Sequence, residues 1–337
     1  MLTQPSTRPD QKTFFSVIAP LAQTATSFKN WLDSLLAQGH LQATEILLLD
    51  TDSRYPKQQS TINALLNEKK EALIQSPYEI RLITWGASIT LNEAINRTVN
   101  IAKGEWIYLL YSDDQVLRHT FLEFAAAIKE HPTVELISGR FQSLDQHQDI
   151  ASKSPELLSE GLISDELKTL FLYKNSLVTG CTLYRKDTWQ KNGGLKPDLG
   201  QAAEWELLRR LACREVCWHY VPRYLCACQS GDRPDYQTGY LNGFMPDFLR
   251  VLEQEQTGYS RESIKLAKLH NYKRLFQYVD SCFQDEQFAQ GYRILMDLTQ
   301  YSELGDRLWL EALEQNSLKH KKHLLKILQD LQTRTKN

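Results

Sequence analysis

The sequence predicts an α/β fold: a mostly parallel sheet flanked by helices, followed by an all-α C-terminal extension. Three observations predict it. Strand-like and helix-like runs alternate over roughly the first 130 residues, the pattern of βαβ units wound on one sheet. Acids fall where the second and fourth of these strands end. From Tyr240 onward the pattern is helical almost to the C-terminus. That shift places a boundary near residue 240, giving a polar, disordered tail at 1–12, an α/β domain at 13–240 and a helical extension at 241–337.

Phe14 to Ala19 is a β-rich run stopped by Pro20, the first strand. Phe28, Trp31, Leu32, Leu35 and Leu36 recur at helical spacing, with Gly39 as the C-cap. Glu45 to Leu49 is the second strand and runs into Asp50-Thr51-Asp52-Ser53; a helix near 61–70 follows. Glu79 to Trp85 is the third strand. Gly86-Ala87-Ser88 turns the chain into a helix carrying Leu91, Ala94, Ile95, Val99 and Ala102, which Gly104 ends.

The fourth strand is the pivot. Trp106 to Leu110 is an apolar run too short for a free-standing helix, the mark of a strand buried on both faces. Ser112, Asp113 and Asp114 follow at once. In open α/β sheets, ligands bind beyond the carboxyl ends of the strands. Two adjacent acids are costly to gather unless a cation or a hydrogen-bond network balances them. A hard divalent cation held by one or two carboxylates and a substrate's phosphates is the simplest balance. An acidic turn capping the next helix is the alternative.

Downstream come a helix over 120–130, ended by Pro132, and a fifth strand at 134–141. Residues 142–175 are polar and loop-rich with a short helix near 165–172; an insertion of this kind suits a mobile cover or an acceptor-binding wall. A sixth strand at 176–184 and a short helix through Trp189 lead to Gly193-Gly194. A helix over 202–211 then carries Glu204, Trp205 and Glu206. Residues 217–221 and 224–228 read as two short strands. Helices are expected near 241–254, 260–269, 271–283, 285–299, 301–315 and 317–333.

Composition narrows the function classes. A net charge of −2 gives no basic field for nucleic acid. No apolar run approaches the ~20 residues that span a bilayer, and the polar N-terminus lacks the apolar core of a signal peptide. The expectation is a cytoplasmic protein. No G-x-G-x-x-G follows the first strand and no G-x-x-x-x-G-K-[ST] appears, which removes the main support for hydride-transfer and P-loop chemistry. Cys213, Cys217, Cys226 and Cys228 could suggest zinc, with Cys213 and Cys217 one turn apart on a helix edge. Their spacing is not the paired C-x2-C, and free thiols commonly sit in cores as small apolar groups. The last helix carries Lys319, Lys321, Lys322, Lys326, Arg334 and Lys336. It reads as a solvated helix docked on its neighbours, with peripheral contact to the inner face of an anionic membrane, or to a partner, as the alternative.

Several blocks, in order, resemble family 2 glycosyltransferases of the GT-A (nucleotide-diphospho-sugar transferase) fold. They are Phe15-Ser-Val-Ile-Ala-Pro; Glu45-Ile-Leu-Leu-Leu-Asp-Thr-Asp-Ser; Gly86 through Asn92-Glu-Ala-Ile-Asn; Ala102-Lys-Gly-Glu-Trp-Ile-Tyr-Leu-Leu-Tyr-Ser-Asp-Asp; and Gly193-Gly194 followed by Glu204-Trp-Glu-Leu-Leu-Arg-Arg-Leu. The resemblance covers roughly residues 12–235 and leaves the helical extension uncovered.

The resemblance implies an inverting, metal-assisted hexosyl transfer from a UDP- or GDP-sugar to a glycan or lipid-linked acceptor in polysaccharide, glycolipid or glycan-precursor synthesis. It implies Mn2+ or Mg2+, held by Asp113 with Asp114 beside it. Pro20, Asp50 or Asp52, Asn92, Tyr111 and Ser112 would meet the donor, and Glu204 would be the general base. A carboxylate suits that task, because the acceptor hydroxyl must lose its proton as it attacks. The chain departs from the family's pattern in three places. Tyr111 stands where an acid is frequent, and Ala203-Glu204 replaces an acid pair. Cys226-Ala227-Cys228-Gln229 occupies a segment that often holds the diphosphate with Arg and His, a task left to Arg233. A degenerate GT-A-shaped binding or scaffold protein is the alternative.

Overall fold

The computed structural model describes residues 14–21, 25–38, 44–50, 56–86, 88–145, 147–157, 160–163, 165–173, 177–214, 216–229, 247, 250–251, 259–301 and 308–335. The chain packs as two compact units. The first comprises Met1–Ile163, Leu177–Leu195 and Val216–Gly231; the second comprises Ser164–Ser176, Lys196–Glu215 and Asp232–Asn337. Residues 164–176 and 196–215, ahead of the expected boundary, thus group with the C-terminal helices.

The first unit is built on one sheet. Its strands are β1 (Phe15–Pro20), β2 (Thr44–Asp50), β3 (Tyr78–Thr84), β4 (Trp106–Leu109), β5 (Gln115–Val116), β6 (Leu136–Leu144), β7 (Ile150–Lys153), β8 (Gly161–Leu162), β9 (Thr182–Arg185) and β10 (Trp218–Gln229). The order is β3-β2-β1-β4-β9-β6-β10-β5, with β7 on β6 and β8 on β10. The longest ladders, β1 with β2, β2 with β3, and β6 with β10, are parallel; β9 is inserted antiparallel between β4 and β6. Helices α1 (Ala25–Leu36), α2 (Pro56–Glu68), α3 (Lys70–Gln75), α4 (Leu91–Ile101), α5 (Thr120–Glu130) and α7 (Lys186–Lys191) belong to this unit.

Every residue of β1, β2 and β4 is buried, as the uninterrupted apolar runs predict for strands covered on both faces. β3 is an edge strand; it is partly exposed along its length and carries Glu79 and Arg81, charges that discourage further strand addition. Behind β4, Tyr108 packs edge-on against Phe121 and Phe124 at ring distances of 5.6 and 5.4 Å. Each such burial contributes about 1.5–3 kcal/mol.

At the amino-terminal end of the sheet, the buried Glu45 accepts from Ser16 Oγ (2.6 Å), Arg81 (2.9 Å) and the Lys103 backbone N–H. The Gly104 N–H donates to Ser16 Oγ at 2.8 Å. This network holds the hinge between α4 and β4.

The second unit is helical: α6 (Asp165–Tyr173), α8 (Ala203–Ala212), α9 (Arg261–Gln284), α10 (Phe288–Tyr301), α11 (Leu308–Gln315) and α12 (Lys321–Thr335). Trp205 Nε1 on α8 donates to the Phe171 carbonyl at 2.7 Å, and the buried Arg209 donates to the Val251 carbonyl at 2.7 Å while lying over the Trp205 ring. Asp280 on α9 accepts from the N–H groups of Lys319 (3.1 Å) and His320 (2.8 Å), satisfying donors just before α12.

Several expected elements change. Residues 217–228 form one strand rather than two; β10 runs through Pro222, and the missing donor is absorbed by register shifts against β6. Helices expected at 260–269 and 271–283 are one helix, α9, because nothing between His270 and Asn271 breaks it and Asn271 bonds back to the Ala267 carbonyl at 2.9 Å. Cys213 and Cys217 do not share a helix edge: α8 ends at Ala212, and Cys217 directly precedes β10. The short strands β5, β7 and β8 were not expected. The tail at 1–12, most of the helix near 241–254 and the start of the one near 301–315 lie outside the described residues.

Candidate functional site

The carboxyl ends of β1, β2 and β4 lie side by side. Pro20 ends β1 opposite Leu49 of β2, and the Leu21 N–H donates to the Leu49 carbonyl at 3.0 Å. Past the end of β4 the ladder with β1 continues: the Leu110 N–H donates to the Ile18 carbonyl and the Ser112 N–H to the Pro20 carbonyl, both at 3.0 Å. Asp50, buried, ends β2. Pro20, Asp50, Tyr111, Ser112 and Asp113 therefore gather at one sheet edge, where the strand pattern predicts them. Asp52 and Arg233 lie outside the described residues.

Tyr111 to Asp114 form a turn, closed by the Asp114 N–H to the Tyr111 carbonyl at 3.0 Å. Burial alternates along it: Tyr111 and Asp113 are half-exposed, whereas Ser112 and Asp114 are fully buried. Asp113 is thus the carboxylate open to an incoming ligand. Asp114 turns inward toward Gly180, where an added Cβ would come within 3.4 Å of Asp114 Oδ2 and 3.2 Å of Cys226 Sγ. Tyr108 holds the same glycine, its hydroxyl donating to the Gly180 carbonyl at 2.6 Å.

The thiols beneath this turn are a packing layer. Cys181, Cys226 and Cys228 are buried, with Cys226 and Cys228 Sγ 3.6 Å apart. Burial pushes the Cys226 thiol well up, so it stays protonated at neutral pH. Among the described residues, no group of three or more His, Cys, Asp or Glu side chains is arranged to hold a metal ion.

Asn92 sits in the first turn of α4, which starts from the loop leaving β3. Thr90 caps this helix by accepting from the Glu93 N–H at 3.2 Å, and Asn92 is buried. One turn further on, Asn96 reaches the Gly193-Gly194 turn. Its amide donates to the Leu195 carbonyl at 2.6 Å and accepts from the Leu195 N–H at 3.0 Å and Trp189 Nε1 at 3.1 Å. Gly194 has φ +60°, and a Cβ there would run into Asn96 Oδ1. Sequence reasoning read the two glycines as a landmark and passed over Asn96, although it ends the quoted block Asn92-Glu-Ala-Ile-Asn.

Glu204 belongs to the second unit, in the first turn of α8, and is half-buried. Its neighbour Glu206 is fully buried and committed to structure: it takes two hydrogen bonds from Arg210, at 2.9 and 2.7 Å, and faces Lys196 at 3.3 Å. Of the two acids on α8, Glu204 is the one with surface to offer.

The sequence model described as Glycosyl transferase family 2 matches residues 16–191, more than half of the chain. The chain belongs to glycosyl transferase family 2. All of β1 but Phe15, strands β2 to β4, the Asp113-Asp114 turn and the Asn96 block fall inside the family match. The fold agrees. S. aureus TarS, residues 1–349, superposes with a TM-score of 0.62 at 13% identity, covering 96% of this chain and 91% of that one. Its complex with UDP-GlcNAc gives 0.61 at 12% identity, covering 96% and 92%. The mannosyltransferase PcManGT from Pyrobaculum calidifontis, in complex with GDP-Man and Mn2+, gives 0.53 at 15% identity, covering 96% and 86%. No curated protein sequence matches the chain. This glycosyl transferase family 2 member therefore has the GT-A fold, a mostly parallel sheet flanked by helices with further helices at its C-terminus.

Proposed function

We propose that this glycosyltransferase moves a sugar, with inversion, from a UDP- or GDP-sugar to a hydroxyl of a polysaccharide, glycolipid or glycan precursor. The observation that carries the reading is the half-exposed Asp113 at the carboxyl edge of the sheet, one residue past the Ser112 hydrogen bond to Pro20, with Asp50 ending β2 on the other side of β1. The UDP-GlcNAc complex of TarS and the GDP-Man complex of PcManGT support the donor class.

Asp113 offers a hard oxygen ligand open to solvent, which fits Mn2+ or Mg2+. Asp113 would hold the ion, with its enclosed neighbour Asp114 backing the turn that presents it; the ion's Lewis acidity would offset the charge gathering on the departing diphosphate. Pro20, Asp50, Asp52, Asn92, Tyr111 and Ser112 orient the donor, and Arg233 supplies a positive charge that Gln229 cannot. The acceptor oxygen bonds to the anomeric carbon as the bond to the diphosphate breaks. The bonding pair leaves with the diphosphate, and the acceptor's proton passes to Glu204. The test is Mn2+-dependent hydrolysis or transfer across a panel of UDP- and GDP-sugars: Asp113→Ala abolishes it, and a wild-type chain inert to the whole panel overturns the reading.

One observation favours a second reading. Residues 226–228 are buried and thiol-bearing where related chains often present Arg and His, which suits a GT-A-shaped binding protein. Calorimetry with UDP and GDP plus Mn2+ separates the two, because tight metal-dependent nucleotide binding contradicts a dead site.

Peripheral contact with an anionic membrane face rests on the exposed Lys322 and Lys326 of α12. Among the described residues, no helix is long and apolar enough to cross a membrane. Liposome pelleting checks the contact: salt-sensitive binding lost in a Lys322→Glu, Lys326→Glu double variant supports it, and absent or salt-insensitive binding dismisses it.

A further inference from the structure

We infer that Asn96 is a positioning residue for the segment that follows Gly193-Gly194 and carries Glu204. The inference rests on the proposed role of Glu204 and adds how the chain sets up that role.

The clamp is specific. α7 ends in Asn192-Gly193-Gly194; Asn192 Nδ2 returns to the Thr188 carbonyl at 2.7 Å, and the Gly194 N–H donates to the Trp189 carbonyl at 3.0 Å. Both glycines have positive φ, +79° and +60°, a conformation that costs an L side chain about 1 kcal/mol or more. The chain reverses there and meets α4. Asn96 then binds both polar groups of the Leu195 backbone, like a neighbouring strand, and takes a further hydrogen bond from Trp189. Leu195 is the last residue of the first unit before the chain enters Lys196–Glu215. Nine residues after Leu195 comes Glu204.

Asn96 also stands four residues after Asn92, and positions i and i+4 share a helix face. One face of α4 therefore carries a proposed donor contact and the anchor of the segment that carries Glu204. The amide is matched to the task because it donates and accepts at once; aspartate at this position would set a carboxylate oxygen against the Leu195 carbonyl.

The test compares Asn96→Ala and Asn96→Asp with the wild-type full chain in three measurements. These are UDP and GDP affinity with Mn2+ by calorimetry, kcat and donor KM, and hydrogen exchange of the peptide spanning residues 195–206. The expected result is a drop in kcat of about 10-fold or more, from a base held off-register. Donor KM and nucleotide affinity stay within about twofold, and exchange rises across 195–206. Trp189→Phe, which keeps an aromatic side chain and removes one of the three hydrogen bonds, gives a smaller drop. Unchanged exchange at 195–206 in both Asn96 variants overturns the clamp. A kcat loss matched by an equal loss of nucleotide affinity overturns it too, as general unfolding of the donor site. A wild-type chain inert to every donor sinks the glycosyltransfer reading instead, and the exchange measurement still decides the clamp.

Discussion

Asp113 and Asp114 are adjacent in sequence and opposite in burial: Asp113 is half-exposed, and Asp114 is completely enclosed against the Gly180 turn. Their substitutions should therefore separate chemistry from stability. Asp113→Asn keeps the shape of a solvent-facing side chain and removes its charge. It should lower Mn2+-dependent turnover by about 100-fold or more, the equivalent of ~3 kcal/mol of lost transition-state stabilisation, with the thermal midpoint moved less than by Asp114→Ala. Asp114→Ala empties a buried site and should lower the unfolding free energy by about 1–3 kcal/mol. Turnover and urea denaturation of both variants check the split.

Glu204 and Glu206 make a second contrasting pair. Glu204→Gln should cut kcat by about 100-fold or more, within the range lost with a general base, while UDP or GDP affinity stays put and stability falls less than in the Glu206 variant. Glu206→Gln strips a buried carboxylate from Arg210 and Lys196. It should cost about 2 kcal/mol in unfolding free energy, the scale of a hydrogen bond to a charged group. Calorimetry and denaturant midpoints distinguish the outcomes.

The contrast shows what the sequence could tell. Trp106 to Leu110 is legible because a strand buried on both faces must be apolar throughout, and an abrupt change to Ser-Asp-Asp marks where it meets solvent. Which acid faces outward was not legible, since that depends on the turn from Tyr111 to Asp114. β5, β7 and β8 escaped because strands of two to four residues leave no periodicity and exist only through pairing with distant segments. Residues 217–221 and 224–228 read as two strands, yet register shifts carry β10 through Pro222 between them. The role of Asn96 was hidden for the same reason: its partner Leu195 is 99 positions away.

Gly104 supplies a test of the sheet itself. A Cβ at this position would stand 2.5 Å from Ser16 Oγ, 2.6 Å from Ser16 N and 2.7 Å from the Phe15 carbonyl carbon. Two of these are backbone atoms of β1, which cannot move without disturbing both of its parallel ladders. Gly104→Ala should therefore destabilise by about 1–3 kcal/mol or more, the range for overpacking a tight interior. Urea denaturation monitored by tryptophan fluorescence would read it, and a change under about 0.5 kcal/mol, the size of an ordinary surface effect, would refute the close approach.

Asp280 makes the stability of the helical unit depend on acid. Burial pushes its carboxyl up, but the His320 and Lys319 N–H groups, with the side chains of Gln284 and His320, outweigh burial and hold it below the ordinary carboxylate value. A carboxylate whose folded-state value is depressed binds protons less readily folded than unfolded. Its contribution is therefore fully present above the unfolded value of about 3.9 and is lost as pH falls through the folded value. At neutral pH, Asp280→Asn should weaken the start of α12, because a neutral amide oxygen accepts the Lys319 and His320 N–H groups less strongly than a carboxylate. The mutant's deficit should shrink as the pH drops from about 5 to below about 4, where the wild-type carboxyl is itself becoming protonated. Helical circular dichroism in urea at pH 5, 4 and 3 follows both chains, and a deficit that grows as the pH falls below 5 would contradict the capping role.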